Sequence, residues 1–281
     1  MFIRAGFNIA FECAQRSTVV LTLTTRYERH QDLVTPDVIT VSPIAPVHHY
    51  RDMFGNLCSR VVVQPGLTSF SSDFVIRDSG EPDPVAPDAI QHPIEDLPDE
   101  VLVYLLGSRY CETDQLMQTA WSLFGHIPPG WARAQAIVDY VHDRITFGYG
   151  HARPTKTASE AHAEQHGVCR DFAHLAIALC RCMNIPARYC TGYLGDIGIE
   201  PIDAPMDFSA WFQVFLGGAW HTFDARHNRP RIGRILIAVG RDATDVAIST
   251  AFGQAVLTQF KVVTEEVDGW SAQTANLRHR A

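Results

Sequence analysis

The residue types and spacing most suggestive of chemistry fall in one stretch, His166-Gly167-Val168-Cys169-Arg170-Asp171-Phe172-Ala173-His174-Leu175. After the cysteine, Phe172, Leu175, Ala176, Leu179 and Met183 recur at helical spacing, which predicts an amphipathic helix with one buried face. Pro186 predicts its end near Asn184, because the residue before a proline avoids helical angles. Cys169 then lies in the first turn, where unsatisfied N–H groups and the positive end of the macrodipole favour a thiolate. The thiolate is the nucleophilic form, so a working Cys169 is expected to have a lowered pKa. The bland alternative is a small apolar cysteine filling space.

A second stretch offers partners. Gly217-Gly218 reads as a two-residue hairpin turn between strands at Asp207–Leu216 and Ala219–Asp224. That fixes the register: Leu216 opposite Ala219, Gln213 opposite Thr222, Trp211 opposite Asp224 and Ser209 opposite Arg226. Ser209, Trp211, Gln213, Thr222 and Asp224 share one face. Ser209 and Asp224 become diagonal neighbours with backbones roughly 5–7 Å apart. A cysteine nucleophile needs a base and a carboxylate to orient it. Asp224 suits the second task, but Ser209 accepts no proton from a thiol at neutral pH. Of the histidines, His221 falls on the opposite face of the hairpin, and His174 lies about 140° around the helix from Cys169. His162, His166 and His227 stay open as substitute bases, since no periodicity places them. Trp211 is read as walling the groove or packing over the site, and the other hairpin aromatics as core. Arg188 and Arg226 read as structural ion-pair partners more readily than as binders of an acidic substrate.

The elements that must position these residues follow from the rest of the chain. It has 281 residues, 46% hydrophobic and 19% charged, with a net charge of -8. This is ordinary composition for two modest domains, and it argues against nucleic acid or an anionic membrane as partner. No apolar run approaches the roughly 20 residues that span a bilayer, and Asn8, Glu12, Gln15 and Arg16 interrupt any signal-peptide core. Seven cysteines at irregular spacing, with no C-x-x-C pair, read as reduced thiols of a cytoplasmic protein, without metal or cofactor. Residues 1–85 carry short β-branched runs at Ser17–Thr25, Val38–Ser42, Leu57–Gln64 and Ser69–Ile76, which predict an antiparallel sandwich or half-barrel. A proline-rich linker is expected over 86–98, and a second domain over 99–281. In the latter, helices are predicted at Thr113–Phe124 and Pro129–Arg144. A third opens at the capping box Thr157-Ala-Ser-Glu160 and runs to about Gln165, with Gly167 as its stop signal. The hairpin and a strand at Ala187–Tyr193 make the whole an α+β fold.

Gly-Val-Cys169-Arg-Asp-Phe-Ala-His-Leu, Asn184-Ile-Pro-Ala-Arg-Tyr-Cys-Thr-Gly-Tyr193 and Phe208-Ser-Ala-Trp-Phe through Thr222-Phe-Asp-Ala-Arg226 together resemble the bacterial transglutaminase-like family. Its members are described as cysteine proteases with a papain-like core and a Cys-His-Asp triad. The resemblance covers about 130–230, and the first 80 residues are similar to the β-rich domain that accompanies this core in bacteria. It implies that Cys169 is the nucleophile and Asp224 the triad aspartate, and it puts Ser209 where the family has its histidine. It further implies attack on a glutamine or peptide amide through a thioester released to water or an amine, with Tyr149 or the Cys169 N–H holding the oxyanion. The alternative is an inactive relative that keeps the groove to bind peptides or proteins.

Overall fold

The structure, a computed structural model, describes residues 1–201 and 206–267. The first 77 residues form β1 (Phe2–Cys13), β2 (Ser17–Leu21), β3 (Thr40–Ser42), β4 (Val47–Arg51), β5 (Leu57–Val63) and β6 (Gly66–Arg77). Then follow α1 (Asp99–Leu102), α2 (Thr113–Phe124), α3 (Trp131–Arg144), β7 (Thr146–Phe147), α4 (Ala158–Glu164), β8 (His166–Gly167) and α5 (Cys169–Cys182). The chain closes with β9 (Ala187–Tyr193), β10 (Ser209–Leu216), β11 (Ala219–Phe223), β12 (Ile235–Gly240), β13 (Ser249–Phe252) and β14 (Ala255–Glu266). The fold is α+β, as expected, and no helix among the described residues is long and apolar enough to cross a membrane.

Two antiparallel four-stranded sheets, ordered β14-β1-β6-β3 and β13-β2-β5-β4, make the β-rich part. Alternation turns Ile3, Phe7 and Ile9 of β1 and Val19 and Leu21 of β2 into one core. The outer strands of this part correct the expected boundary. β14 pairs along the full length of β1, and β13 pairs with β2. Residues 249–266 therefore join residues 1–77, rather than the unit expected to run to 281. Residues 268–281 lie outside the described residues.

The remaining sheet, β11-β10-β9-β12, is antiparallel and packs with α2, α3 and α4 around α5. The Gly217-Gly218 turn has φ of 57° and 80°, angles that glycine adopts freely. It sets the predicted register, Leu216 to Ala219 through Phe212 to Phe223. α5 departs from the amphipathic expectation: every residue from Asp171 to Cys182 is buried. Its polar members find partners inside. Arg181 donates to the carbonyls of Ala187, Leu106 and Arg241. His174 accepts from the Ala243 N–H, stacks on Tyr110 and packs tilted against Tyr189.

The proline-rich segment is not a free linker. Asp83 N–H donates to Arg231 O, Trp131 N–H to Ala89 O, and Gly217 N–H to Ile90 O. It is a strap laid across the second unit.

Candidate active site

α4 begins on the predicted capping box, Thr157 with Glu160, and ends at Gln165 as expected, but the left-handed stop residue is Gln165 itself, at φ 60°, and not Gly167. Gly167 serves the next helix instead. A Cβ there would meet Asp171 Oδ2 at 2.6 Å. The space lets the buried Asp171 carboxylate reach back and accept the Val168 N–H at 2.9 Å, satisfying one orphan donor of α5. Cys169 is thereby fixed as the first residue of α5, partly buried.

The expected lowering of its pKa is not found. Burial pushes the Cys169 thiol up, and the nearby Asp207 and Asp224 charges add to that. The Arg226 guanidinium and a hydrogen bond from the Ala210 backbone act the other way without overcoming it. Desolvation of the sulfur is the largest of these effects.

Asp224 follows directly on β11 and is buried. Its Oδ1 accepts the N–H groups of Arg226 and His227, each at 3.1 Å. Its Oδ2 accepts from Arg234 Nη2 at 2.8 Å and lies 2.8 Å from His227 Nδ1. Burial alone would push this carboxyl up. The His227 hydrogen bond and the Arg234 charge reverse that and hold it well below the usual carboxylate range. Arg234 is itself braced: its Nε donates to Asp83 Oδ2 at 2.8 Å, and its guanidinium lies over the Trp211 ring. A line of contacts thus runs from the strap through Asp83 and Arg234 to Asp224 and His227. With Nδ1–H on Asp224, His227 carries its lone pair on Nε2, the tautomer of a base.

Cys169, His227, Ser209, Tyr149, Arg226 and Arg231 line one cleft of about 50 Å³, together with Asp196 and Asp207. The structure thus brings together Cys169, Asp224's partner His227, Ser209 and the exposed Tyr149. It does not bring Trp211 there. That ring is buried among Cys190, Val239 and Phe54 and supports Arg234 from beneath. The other histidines are engaged elsewhere: His221 with Leu216 O, His162 with Tyr140, and His166 stacked on His151. Arg188 is held by Gln213 and Trp220, whereas Arg226 lies over the Phe147 ring, 3.8 Å from its centroid. The sequence left His227 unplaced and passed over Asp83, Arg231 and Arg234. The available signal was the spacing Asp224-x-x-His227, in which an aspartate caps the turn that returns its own histidine.

Residues 122–225 match the model of the transglutaminase-like superfamily core. Over 119 residues the chain is 33% identical to an uncharacterized protein of Mycobacterium leprae, a match covering 42% of this chain and 39% of that protein. The crystal structure of a putative cysteine protease from Cytophaga hutchinsonii superposes with a TM-score of 0.82 at 28% identity, covering 97% of this chain and 92% of that one. The ethylmercury-bound periplasmic domain of TgpA from Pseudomonas aeruginosa gives a TM-score of 0.40 at 14% identity, over 80% of this chain and 90% of that one. The resemblance read from the motifs holds over the core.

Proposed function

We propose that this chain, whose residues 122–225 form a transglutaminase-like core, is a thiol amidase whose triad is Cys169, His227 and Asp224. The observation that carries the reading is the 2.8 Å contact of His227 Nδ1 with Asp224, on a histidine that opens into the cleft of Cys169. His227 Nε2 takes the thiol proton as Sγ attacks the amide carbonyl, forming the C–S bond. The Cys169 N–H and the Tyr149 hydroxyl are the donors available for the oxyanion. The imidazolium then protonates the departing amine as the C–N bond breaks, leaving a thioester. Water or a second amine, deprotonated by the same nitrogen, releases the acyl group. Ser209 takes no part in proton transfer. Arg226 supplies a permanent positive charge beside the sulfur.

The partners on this reading are a peptide or protein amide and, where transfer occurs, an amine acceptor. The seven cysteines, none of them disulfide-bonded, support a reducing compartment such as the cytoplasm. One observation favours the second reading, an inactive peptide-binding module: burial pushes the Cys169 thiol up. Intact-mass analysis after mixing with p-nitrophenyl acetate separates the two. The amidase reading expects a single acyl adduct on Cys169, absent in Cys169→Ala and formed more slowly in His227→Asn. Turnover that survives Cys169→Ala, or a wild-type thiol that forms no adduct, refutes it.

A further inference from the structure

Two arginines three residues apart differ sharply in how their charge is met. Arg234 is buried with a carboxylate on each side, Asp83 and Asp224. Arg231 is also buried, at 3% exposure. Yet its guanidinium makes one hydrogen bond, Nη2 to Gly195 O at 2.9 Å, and its Nε has no partner. Among the described residues no carboxylate forms an ion pair with it; Asp83 meets only its backbone N–H. The Asp224 and Asp196 charges favour the Arg231 cation, but burial and the neighbouring Arg234 and Arg229 charges outweigh them, so an anion brought into contact with its open donors is stabilising. Arg231 lines the cleft that holds Cys169.

We infer that the acyl donor carries a carboxylate a few bonds from its scissile carbonyl, and that Arg231 binds it. This rests on the amidase reading and names the substrate class of that same site. An arginine suits a carboxylate because its planar fork offers paired donors. Asp196 and Asp207 line the same cleft, so it does not attract anions in general. Only a donor shaped to deliver its carboxylate to Arg231 gains. Arg226 is the less suitable anchor, because its guanidinium is held over the Phe147 ring and its charge lies beside the sulfur. Amides of short dicarboxylic acids fit this description.

The test is protection of Cys169 from alkylation by iodoacetamide, read by peptide mass spectrometry with the buried cysteines as controls. Glutarate and its uncharged counterpart glutaramide are the probes. Glutarate is expected to slow alkylation of the wild-type protein at least about fivefold, and glutaramide is not. Arg231→Gln should raise the half-protecting concentration of glutarate at least about tenfold, and Arg231→Lys less. Should Arg231→Gln fail to fold, the wild-type comparison and Arg231→Lys decide. Equal protection by the two probes, no protection, or unchanged protection in Arg231→Gln overturns the inference. Acylation by p-nitrophenyl acetate is measured in parallel. Normal acylation without glutarate selectivity overturns this inference alone, whereas absent acylation overturns the amidase reading and the acyl-donor assignment with it.

Discussion

Replacing His227 by asparagine should cost far more on an amide than on an activated ester, and the size of the gap follows from the site. Asparagine keeps a donor near the position of Nδ1, so the bond to Asp224 Oδ2 and the fold are retained while Nε2 is removed. Two losses follow. Burial pushes the Cys169 thiol up, and even at the unperturbed value of about 8.5 a thiol is only about 3% ionised at pH 7. Loss of the base therefore costs at least roughly 30-fold in available nucleophile, since the fixed Arg226 charge does not overcome the burial. The second loss is protonation of the leaving amine, typically worth about 10²–10⁴-fold. A p-nitrophenolate leaves without a proton, so only the first loss applies to it. His227→Asn should lower the acylation burst with p-nitrophenyl acetate by roughly 30-fold or more and amide turnover by roughly 10³-fold or more. Stopped-flow absorbance reads the first and kcat/KM on a peptide amide the second, with circular dichroism to confirm folding. Equal losses on both substrates, or losses under about threefold on both, would show that this imidazole moves no proton in the reaction.

Three further outcomes test the supports of the site. Gly167→Ala drives a Cβ to 2.6 Å from Asp171 Oδ2, so overpacking and loss of the α5 cap should destabilise the protein by about 1–3 kcal/mol; a urea midpoint unchanged from wild type would refute the close-approach argument. Asp83→Ala leaves Arg234 with one carboxylate in place of two. Breaking a buried pair costs about 3–5 kcal/mol, and allowing for the remaining Asp224 contact, about 2 kcal/mol is expected, with amide turnover falling in step and Asp83→Asn recovering part of both. The Asp224 carboxyl is held below its usual range, so the stability it contributes is present above the unfolded value of about 3.9 and is lost as pH falls through the interval beneath it. Melting curves between pH 2 and 6 should show a steeper acid-side decline for wild type than for Asp224→Asn, and parallel curves would contradict the ion-pair account.

What was legible in the sequence was local. A Gly-Gly turn can close only one hairpin register, and a Thr-x-x-Glu box opens a helix at one place, so β10, β11 and α4 were readable within a residue or two. The return of β13 and β14 to the first two sheets was not, because pairing Ile3 with Glu266 spans nearly the whole chain and leaves no local mark. The site divides along the same line. Alternation locates side chains only while the ladder lasts, and this ladder ends at Phe212 and Phe223, one residue before Asp224. Beyond it the backbone obeys the aspartate: Oδ1 gathers the N–H groups of Arg226 and His227, Asn228 N–H closes on Asp224 O at 2.8 Å, and the turn returns His227 to Oδ2. One carboxylate both builds the turn and orients the ring that the turn carries. This is how a chain with serine at strand position 209 presents an imidazole to the cysteine cleft. The histidine sits on a loop defined by its own partner rather than on the neighbouring strand, so a scan of strand positions registers only the serine.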